Sequence, residues 1–434
     1  MPEKNLNVKI LCGADAAPDR LHVRNFVVNA AAEKVASEII AAVRERGDAA
    51  VAEYTKKYDG VEIDTFAVPQ SETDEAAQAV NKENPGFAEA FARASENIGA
   101  YHKRQIRQGF AVTGERDGVV LGQRVIPLER VGIYIPGGTA AYPSTLLMNV
   151  IPAKLAGVSE IYVATPPQKN GKCAPAILAA AKYSGIDKIY KAGGAQAIAA
   201  FAYGTESFPR VDKITGPGNV YVAAAKRQLY GIVDIDMIAG PSEILIIADG
   251  GADARYIAAD MLSQAEHDEM AAALLITVDD ALAAAVVGEL SEQLASLPRG
   301  DIAARSLEAN CRIAVVGTLE QAAALSNGVA PEHLELCVRD PFGLLGLIRN
   351  AGSVFLGDYT PETLGDYLAG PNHTLPTNGA ARFSSPLSVD DFVKKSSFTY
   401  YAKDALRRDA KHAACFARQE GFEAHARSVE IRAK

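Results

Sequence analysis

Two doubly wound parallel-sheet domains of α/β class are predicted by three features of the sequence. Short apolar runs alternate with helical stretches from Val131 onward, the rhythm of a parallel sheet covered by helices. Three of those runs end in glycine turns that each precede a helix: Pro136-Gly137-Gly138, Gly193-Gly194-Ala195-Gln196 and Gly216-Pro217-Gly218-Asn219. The chain has 434 residues, too many for one ordinary core, so more than one domain is expected.

The elements follow in order. Residues 1–28 are mixed and read as a small N-terminal arm. Asn29 can cap a helix over 30–46, where Val35, Ile39 and Val43 recur every four residues before Gly47 stops it. A second helix covers 48–58, and Phe87, Phe91, Ala94, Ile98 and Tyr101 mark a third apolar face. Strands are expected at 110–114, 119–126 and 131–135, with Asp117-Gly118 as the first turn. Alternating units then run helix 145–156, strand 161–164, helix 175–184, strand 188–191, helix 195–203, strand 211–214 and helix 220–230. A second alternating stretch starts with strand 243–248. It continues through helix 252–262, strand 272–277, helix 280–294, strand 312–316, helix 319–326 and strand 353–356. Beyond about Arg382 the rhythm stops, and a helical run from Ala402 to about Glu420 follows the cluster Phe398-Thr399-Tyr400-Tyr401. The expected organisation is an arm (1–28), a discontinuous α/β domain (29–130 plus 239–381) carrying the reactive residues, a second Rossmann-like domain (131–238) for a nucleotide, and a helical tail (382–434).

Composition narrows the function. Hydrophobic residues make up 48%, as in a soluble globular protein. A net charge of −9 argues against nucleic acid as a standing partner. No apolar h-region follows Met1, and no apolar run reaches membrane-spanning length. The five cysteines, Cys12, Cys173, Cys311, Cys337 and Cys415, form no C-x-x-C and read as free thiols in a reducing cytoplasm, not as a thiolate zinc site.

Several stretches can carry chemistry. The glycine turns belong at strand C-terminal ends, where backbone N–H groups and helix N-termini can meet a phosphate; each alone is also an ordinary βα turn, and none has the G-x-G-x-x-G pattern. In Ser263-Gln264-Ala265-Glu266-His267-Asp268, Gln264 and His267 are i and i+3 on one helical face. A neutral imidazole there is a ready zinc ligand, and an amide oxygen a weaker one. Ser242 in Ala239-Gly240-Pro241-Ser242-Glu243 reads as a turn residue or as one reaching into a shared cleft, and without a G-x-S-x-G context it is poorly placed to be a hydrolase nucleophile. Glu332-His333 sets two proton-transfer groups side by side, or is a polar strand start. Asp366 and His373 lie in a glycine- and proline-rich loop over 357–379, functional or mobile by its length. Glu420 and His425 close a tail whose bland reading is a solvated end.

Taken together, the chain resembles the histidinol dehydrogenase family. The likeness runs in order through Val131-Gly132-Ile133-Tyr134-Ile135-Pro136-Gly137-Gly138, Gly193-Gly194-Ala195-Gln196-Ala197, Gly216-Pro217-Gly218-Asn219, Ala239-Gly240-Pro241-Ser242-Glu243, Ser263-Gln264-Ala265-Glu266-His267, Pro331-Glu332-His333-Leu334, Gly352-Ser353-Val354-Phe355-Leu356-Gly357 and Asn372-His373. The resemblance implies one zinc per subunit held by Gln264, His267, Asp366 and His425, and NAD contacted from Tyr134, Gln196 and Asn219. It implies substrate contacts from Ser242, His333, His373 and Glu420 together with the metal ligands. The reaction implied is oxidation of L-histidinol through the aldehyde to L-histidine with two NAD, His333 serving as base for the alcohol and Glu332 activating water. It also implies a homodimer in which the tail completes the partner's site. Two alternatives stand beside it: a related zinc- and NAD-dependent dehydrogenase of another small alcohol, such as a sulfonated propanediol, and a zinc hydrolase using Glu332. The three glycine loops and Tyr134 count against the hydrolase.

Overall fold

The computed structural model describes residues 6, 8–24, 30–113, 117–137 and 141–434. The expected cap Asn29 and the loop residue Gly138 lie outside the described residues. Fourteen strands are present among them: β1 (Lys9–Cys12), β2 (Phe110–Thr113), β3 (Val119–Pro127), β4 (Arg130–Tyr134), β5 (Glu160–Thr165), β6 (Ile189–Lys191), β7 (Lys213–Thr215), β8 (Asp234–Ile235), β9 (Glu243–Ala248), β10 (Ala272–Thr277), β11 (Arg312–Val315), β12 (His333–Cys337), β13 (Ser353–Leu356) and β14 (Val393–Tyr401). They form a six-stranded sheet of order β1-β11-β10-β9-β12-β13, a five-stranded sheet β6-β5-β4-β7-β8 and a three-stranded sheet β14-β3-β2. The first two are parallel and the third antiparallel.

The parallel strands carry continuous apolar runs because helices cover both faces. In β9, Ile244 and Ile246 enter one core with Ile257 and Met261, whereas Leu245 and Ile247 enter the other with Leu325 and Leu334. The five-stranded sheet is likewise sandwiched, with Ile214 on one side and Val131 and Ile133 on the other. Among the described residues no helix is long and apolar enough to cross a membrane.

Several expectations are corrected. The helices before β4 belong with the five-stranded sheet, not with residues 239–381. The Ala30–Arg46 helix packs Ala36, Ile39 and Val43 into a core with Ile198, Phe201 and Val222. The Phe87–Lys103 helix and an unforeseen helix, Gln70–Glu83, pack Phe91, Ala94, Ile98 and Ala76 with Ile133, Leu146 and Ile177. The main chain between these helix pairs seals the choice: Val68 N–H bonds Ile189 O at 2.8 Å and Lys191 N–H bonds Phe66 O at 2.7 Å, using the open edge of β6. The arm is not apart from the fold either, since β1 adds to the edge of β11. The 357–379 loop contains a helix, Glu362–Tyr367, and the tail begins with β14 paired along β3 before its helices Lys403–Gln419 and Glu423–Ala433. A further helix, Gly300–Asn310, was not foreseen.

One glycine is required. Gly216 has φ +110°, and a Cβ there would overlap the carbonyl of Tyr134. The turn is also pinned by Asp236, which accepts the Gly216 N–H at 2.7 Å, and by Lys226, which donates to Gly216 O at 3.0 Å. Lys226 and Asp236 form a buried ion pair. Gly216→Ala is expected to lower the unfolding free energy by about 1–3 kcal/mol from backbone conformation alone. Equilibrium denaturation measures it, and an unchanged midpoint would show that the turn is not so constrained.

Candidate active site

The reactive residues gather where β9 and β12 begin. Just before β12, Ala330 takes the left-handed conformation (φ 53°, ψ 65°), a sharp turn that delivers Pro331, Glu332 and His333. Glu332 Oε2 accepts the Glu243 N–H at 2.9 Å, and His333 Nδ1 lies 3.2 Å from Glu243 O. A carbonyl only accepts, so Nδ1 carries the imidazole proton and Nε2 presents its lone pair. Nε2 is buried and has no hydrogen-bond partner; it faces Glu362 Oε2 at 3.5 Å and Asp366 Oδ1 at 3.8 Å. Burial lowers the His333 pKa, with Asp366 pulling the other way, so the ring is neutral near neutrality. Burial, reinforced by the charges of Glu243, Asp366 and Glu362, pushes the Glu332 carboxyl well above its ordinary range.

Gln264 ends the Ala254–Ala265 helix, which Asp253 caps at its start. Its side chain is fully buried, yet neither Oε1 nor Nε2 has a partner. His267 follows one turn on, its N–H bonded to Gln264 O at 3.2 Å. Burial lowers the His267 pKa as well, opposed by Asp366. Asp366 and Glu362 are i and i+4 on one short helix and so share a face. Ligand atoms of His333, Glu362 and Asp366 all lie within 4.8 Å of one another, a group that could hold a metal ion. An idle buried amide, neutral imidazoles and clustered carboxylates are the donor set a divalent ion needs.

His373 ties the two parallel sheets together. Its Nδ1 lies 2.9 Å from Asp366 O and its Nε2 3.3 Å from Thr145 Oγ1, on the Pro143–Ala156 helix. The neighbouring Asn372 donates to Met148 O at 2.6 Å on that helix. Burial lowers the His373 pKa to about 4. Ser242 is half-buried beside Glu243. On the glycine-loop side, the Tyr134 hydroxyl is buried and accepts the Gly194 N–H at 3.1 Å; burial pushes its pKa to about 12. Gln196 is buried with Oε1 unpartnered, and Asn219 caps the Val220–Leu229 helix through Tyr221 and Val222 N–H. Glu420 and His425 are not brought into this cluster within one chain; both are exposed on the tail hairpin, where His425 packs against Phe422.

Sequence reasoning missed three acids. Glu335 is buried one alternation beyond His333 on the same face of β12, hydrogen-bonded to Asp260 and accepting the Glu362 N–H at 2.7 Å. Glu362 in turn accepts from Ser263 Oγ at 3.0 Å. The signal was available: an acid alternating with a histidine in an otherwise apolar strand, and a Glu one helical turn before Asp366.

Two parallel-sheet units, one ending in glycine turns and the other opening on a neutral histidine, a buried glutamate and a metal-donor cluster, define a nucleotide-linked, metal-assisted dehydrogenase. The comparisons with known proteins agree. A histidinol dehydrogenase family model matches residues 23–433. A histidinol dehydrogenase of Bacillus cereus is 54% identical over 406 residues, covering 94% of each chain, and one of Syntrophotalea carbinolica is 55% identical over 404 residues, covering 93% of each. The crystal structure of histidinol dehydrogenase from Elizabethkingia anophelis superposes with a TM-score of 0.91 at 37% identity over 98% of both chains. The chain belongs to the histidinol dehydrogenase family, whose enzymes catalyse the final steps of histidine biosynthesis with NAD and zinc. The alternatives of another alcohol or a hydrolase are not favoured.

The Asp260–Glu335 pair makes a pH prediction. Burial raises both carboxyls, Asp260 to about 6 from 3.8, so the folded chain holds a proton that the unfolded chain releases. Their stabilising contribution is complete below the unfolded values and is lost as pH rises through the folded ones. Asp260→Asn is therefore expected to gain in Tm relative to the unsubstituted chain as pH rises from about 4 to about 6. A pH-independent Tm difference would show that no proton is taken up there.

Proposed function

We propose that this chain oxidises L-histidinol to L-histidine in the cleft where the two parallel-sheet units meet, with two NAD reduced and one water consumed. The observation that carries this reading is His333 Nε2: a buried, neutral lone pair without a hydrogen-bond partner among the described residues, next to Glu332 and facing Glu362 and Asp366. His333 takes the alcohol proton at Nε2 as hydride leaves the carbinol carbon for NAD. Glu332, made more basic by burial among other acids, takes a proton from the water that adds to the aldehyde. The hydrate then loses the second hydride, again with His333 as base. Gln264, His267 and Asp366, with the partner subunit's His425, would hold zinc, which supplies a Lewis-acid anchor for the substrate's imidazole and amine. Ser242, His373 and Glu420 complete the substrate contacts.

Residues 131–238, joined by the helices of residues 30–103, form the NAD unit. The unpartnered Gln196 carboxamide oxygen supports a cofactor contact there. Asn219 lies at the same end of the sheet, and Tyr134 acts by holding the Gly194 turn. The chain works as a homodimer in which Glu420 and His425 reach the neighbouring site. Their exposure on the hairpin of the last two helices and their absence from the cluster of their own chain support this. Five unpaired cysteines suit a cytoplasmic enzyme.

Two outcomes are expected. Complete oxidation of limiting L-histidinol yields two NADH per substrate, read by absorbance; one NADH would end the four-electron assignment. Mixing His425→Ala and His333→Asn subunits, each nearly inactive as its own dimer, restores partial activity in hybrids, where one site regains both residues. Hybrids that form and stay inactive would place each site within a single chain.

A further inference from the structure

The N-terminal arm reaches the catalytic pair from behind. The Pro18–Leu21 helix packs Pro18 against Gly328 and buries Leu21 completely. The chain beyond it carries His22 and Arg24 to the start of β9. Arg24 donates through NH1 to Val329 O at 2.6 Å and through NH2 to Glu243 Oε2 at 2.8 Å, with Ala330 O at 3.5 Å. His22 Nε2 hydrogen-bonds the same Glu243 oxygen. The Arg24 and Glu243 side chains are 10% and 1% exposed, so this ion pair is shielded from water.

What these partners do gives the contacts their meaning. The carbonyls of Val329 and Ala330 bracket the left-handed turn that leads into Glu332-His333. A non-glycine residue in that conformation is strained and persists only where its surroundings over-determine it. Glu243 lends its main chain to both reactive residues, its N–H to Glu332 and its C=O to His333. Burial alone would raise the Glu243 pKa, but His22 and Arg24 outweigh it and hold the carboxyl below its ordinary range. One guanidinium thus fixes the turn that delivers the pair and the strand start that orients it, without touching either reactive side chain.

We propose that Arg24, supported by His22, is a positioning residue that sets the Glu332–His333 geometry from the N-terminal arm. The inference rests on the reading of that pair as the proton-transfer groups. Arg24→Ala is expected to lower kcat about 10- to 100-fold, as misplacements of ångström size do. KM for L-histidinol and NAD should change less than about threefold, because Arg24 itself touches none of the proposed metal, substrate or cofactor residues. Millimolar ethylguanidinium should restore part of the lost kcat, which a general loss of stability would not allow. In a His333→Asn background Arg24→Ala should cost little more, since Arg24 acts through that residue. A folded Arg24→Ala enzyme at unsubstituted kcat, or a full further loss on top of His333→Asn, would overturn the proposal. His333→Asn at full turnover would instead remove the proton-transfer reading, and the inference with it. Should Arg24→Ala not fold, Glu243→Gln carries the same test: kcat lowered about 10-fold at constant KM supports it, and unchanged kcat overturns it.

Discussion

Six acidic side chains, Glu243, Asp260, Glu332, Glu335, Glu362 and Asp366, are drawn wholly or largely out of water around the starts of β9 and β12, and their compensation organises the site. An uncompensated buried carboxylate costs several kcal/mol. Three devices meet that cost. Glu243 takes two cationic partners from the arm. Asp260 and Glu335 share a hydrogen bond, with burial favouring the protonated form. Glu332 and Glu335 each accept a main-chain N–H. That leaves Glu362 and Asp366 facing a neutral histidine, and this is where a cationic ligand is most strongly favoured.

The same constraint explains the architecture around the cluster. The glycine turns sit at the C-terminal ends of their strands, as is usual for nucleotide sites in parallel sheets. The reactive pair instead lies at the N-terminal ends of β9 and β12, and the Ala254–Ala265 helix runs back from β9 to bring Gln264 there. The His373–Thr145 and Asn372–Met148 contacts fasten the helix of one unit to the loop of the other.

Two turns at positive φ are braced by charged side chains. Gly216 and Ala330 are both held at positive φ, one directly after β7 and one just before Glu332 and His333. Each is surrounded by buried charge-assisted hydrogen bonds, Lys226 and Asp236 for the first and Arg24 for the second. Such bonds are stronger and more directional than neutral ones, which suits those at Ala330 to holding a dihedral that is unfavourable without glycine.

Much of this was legible in the amino-acid sequence. Local periodicity specified most of the alternating strands and helices from β4 onward, the Gly300–Asn310 helix and β12 excepted, because burial on both sheet faces demands unbroken apolar runs of strand length. The ordered motifs identified the family and singled out Gln264, Glu332 and His333, all of which the fold buries. Tertiary structure alone decided which sheet the Ala30–Arg46 and Phe87–Lys103 helices cover, because an apolar helical face states that it must be buried and not against what. It alone revealed Arg24 behind Glu243, brought the Glu362 carboxyl to 3.5 Å from His333 Nε2, and separated His425 from the cluster of its own chain. Those relations join residues up to three hundred positions apart, and no local pattern encodes a contact whose strength comes from desolvation that only the folded chain creates.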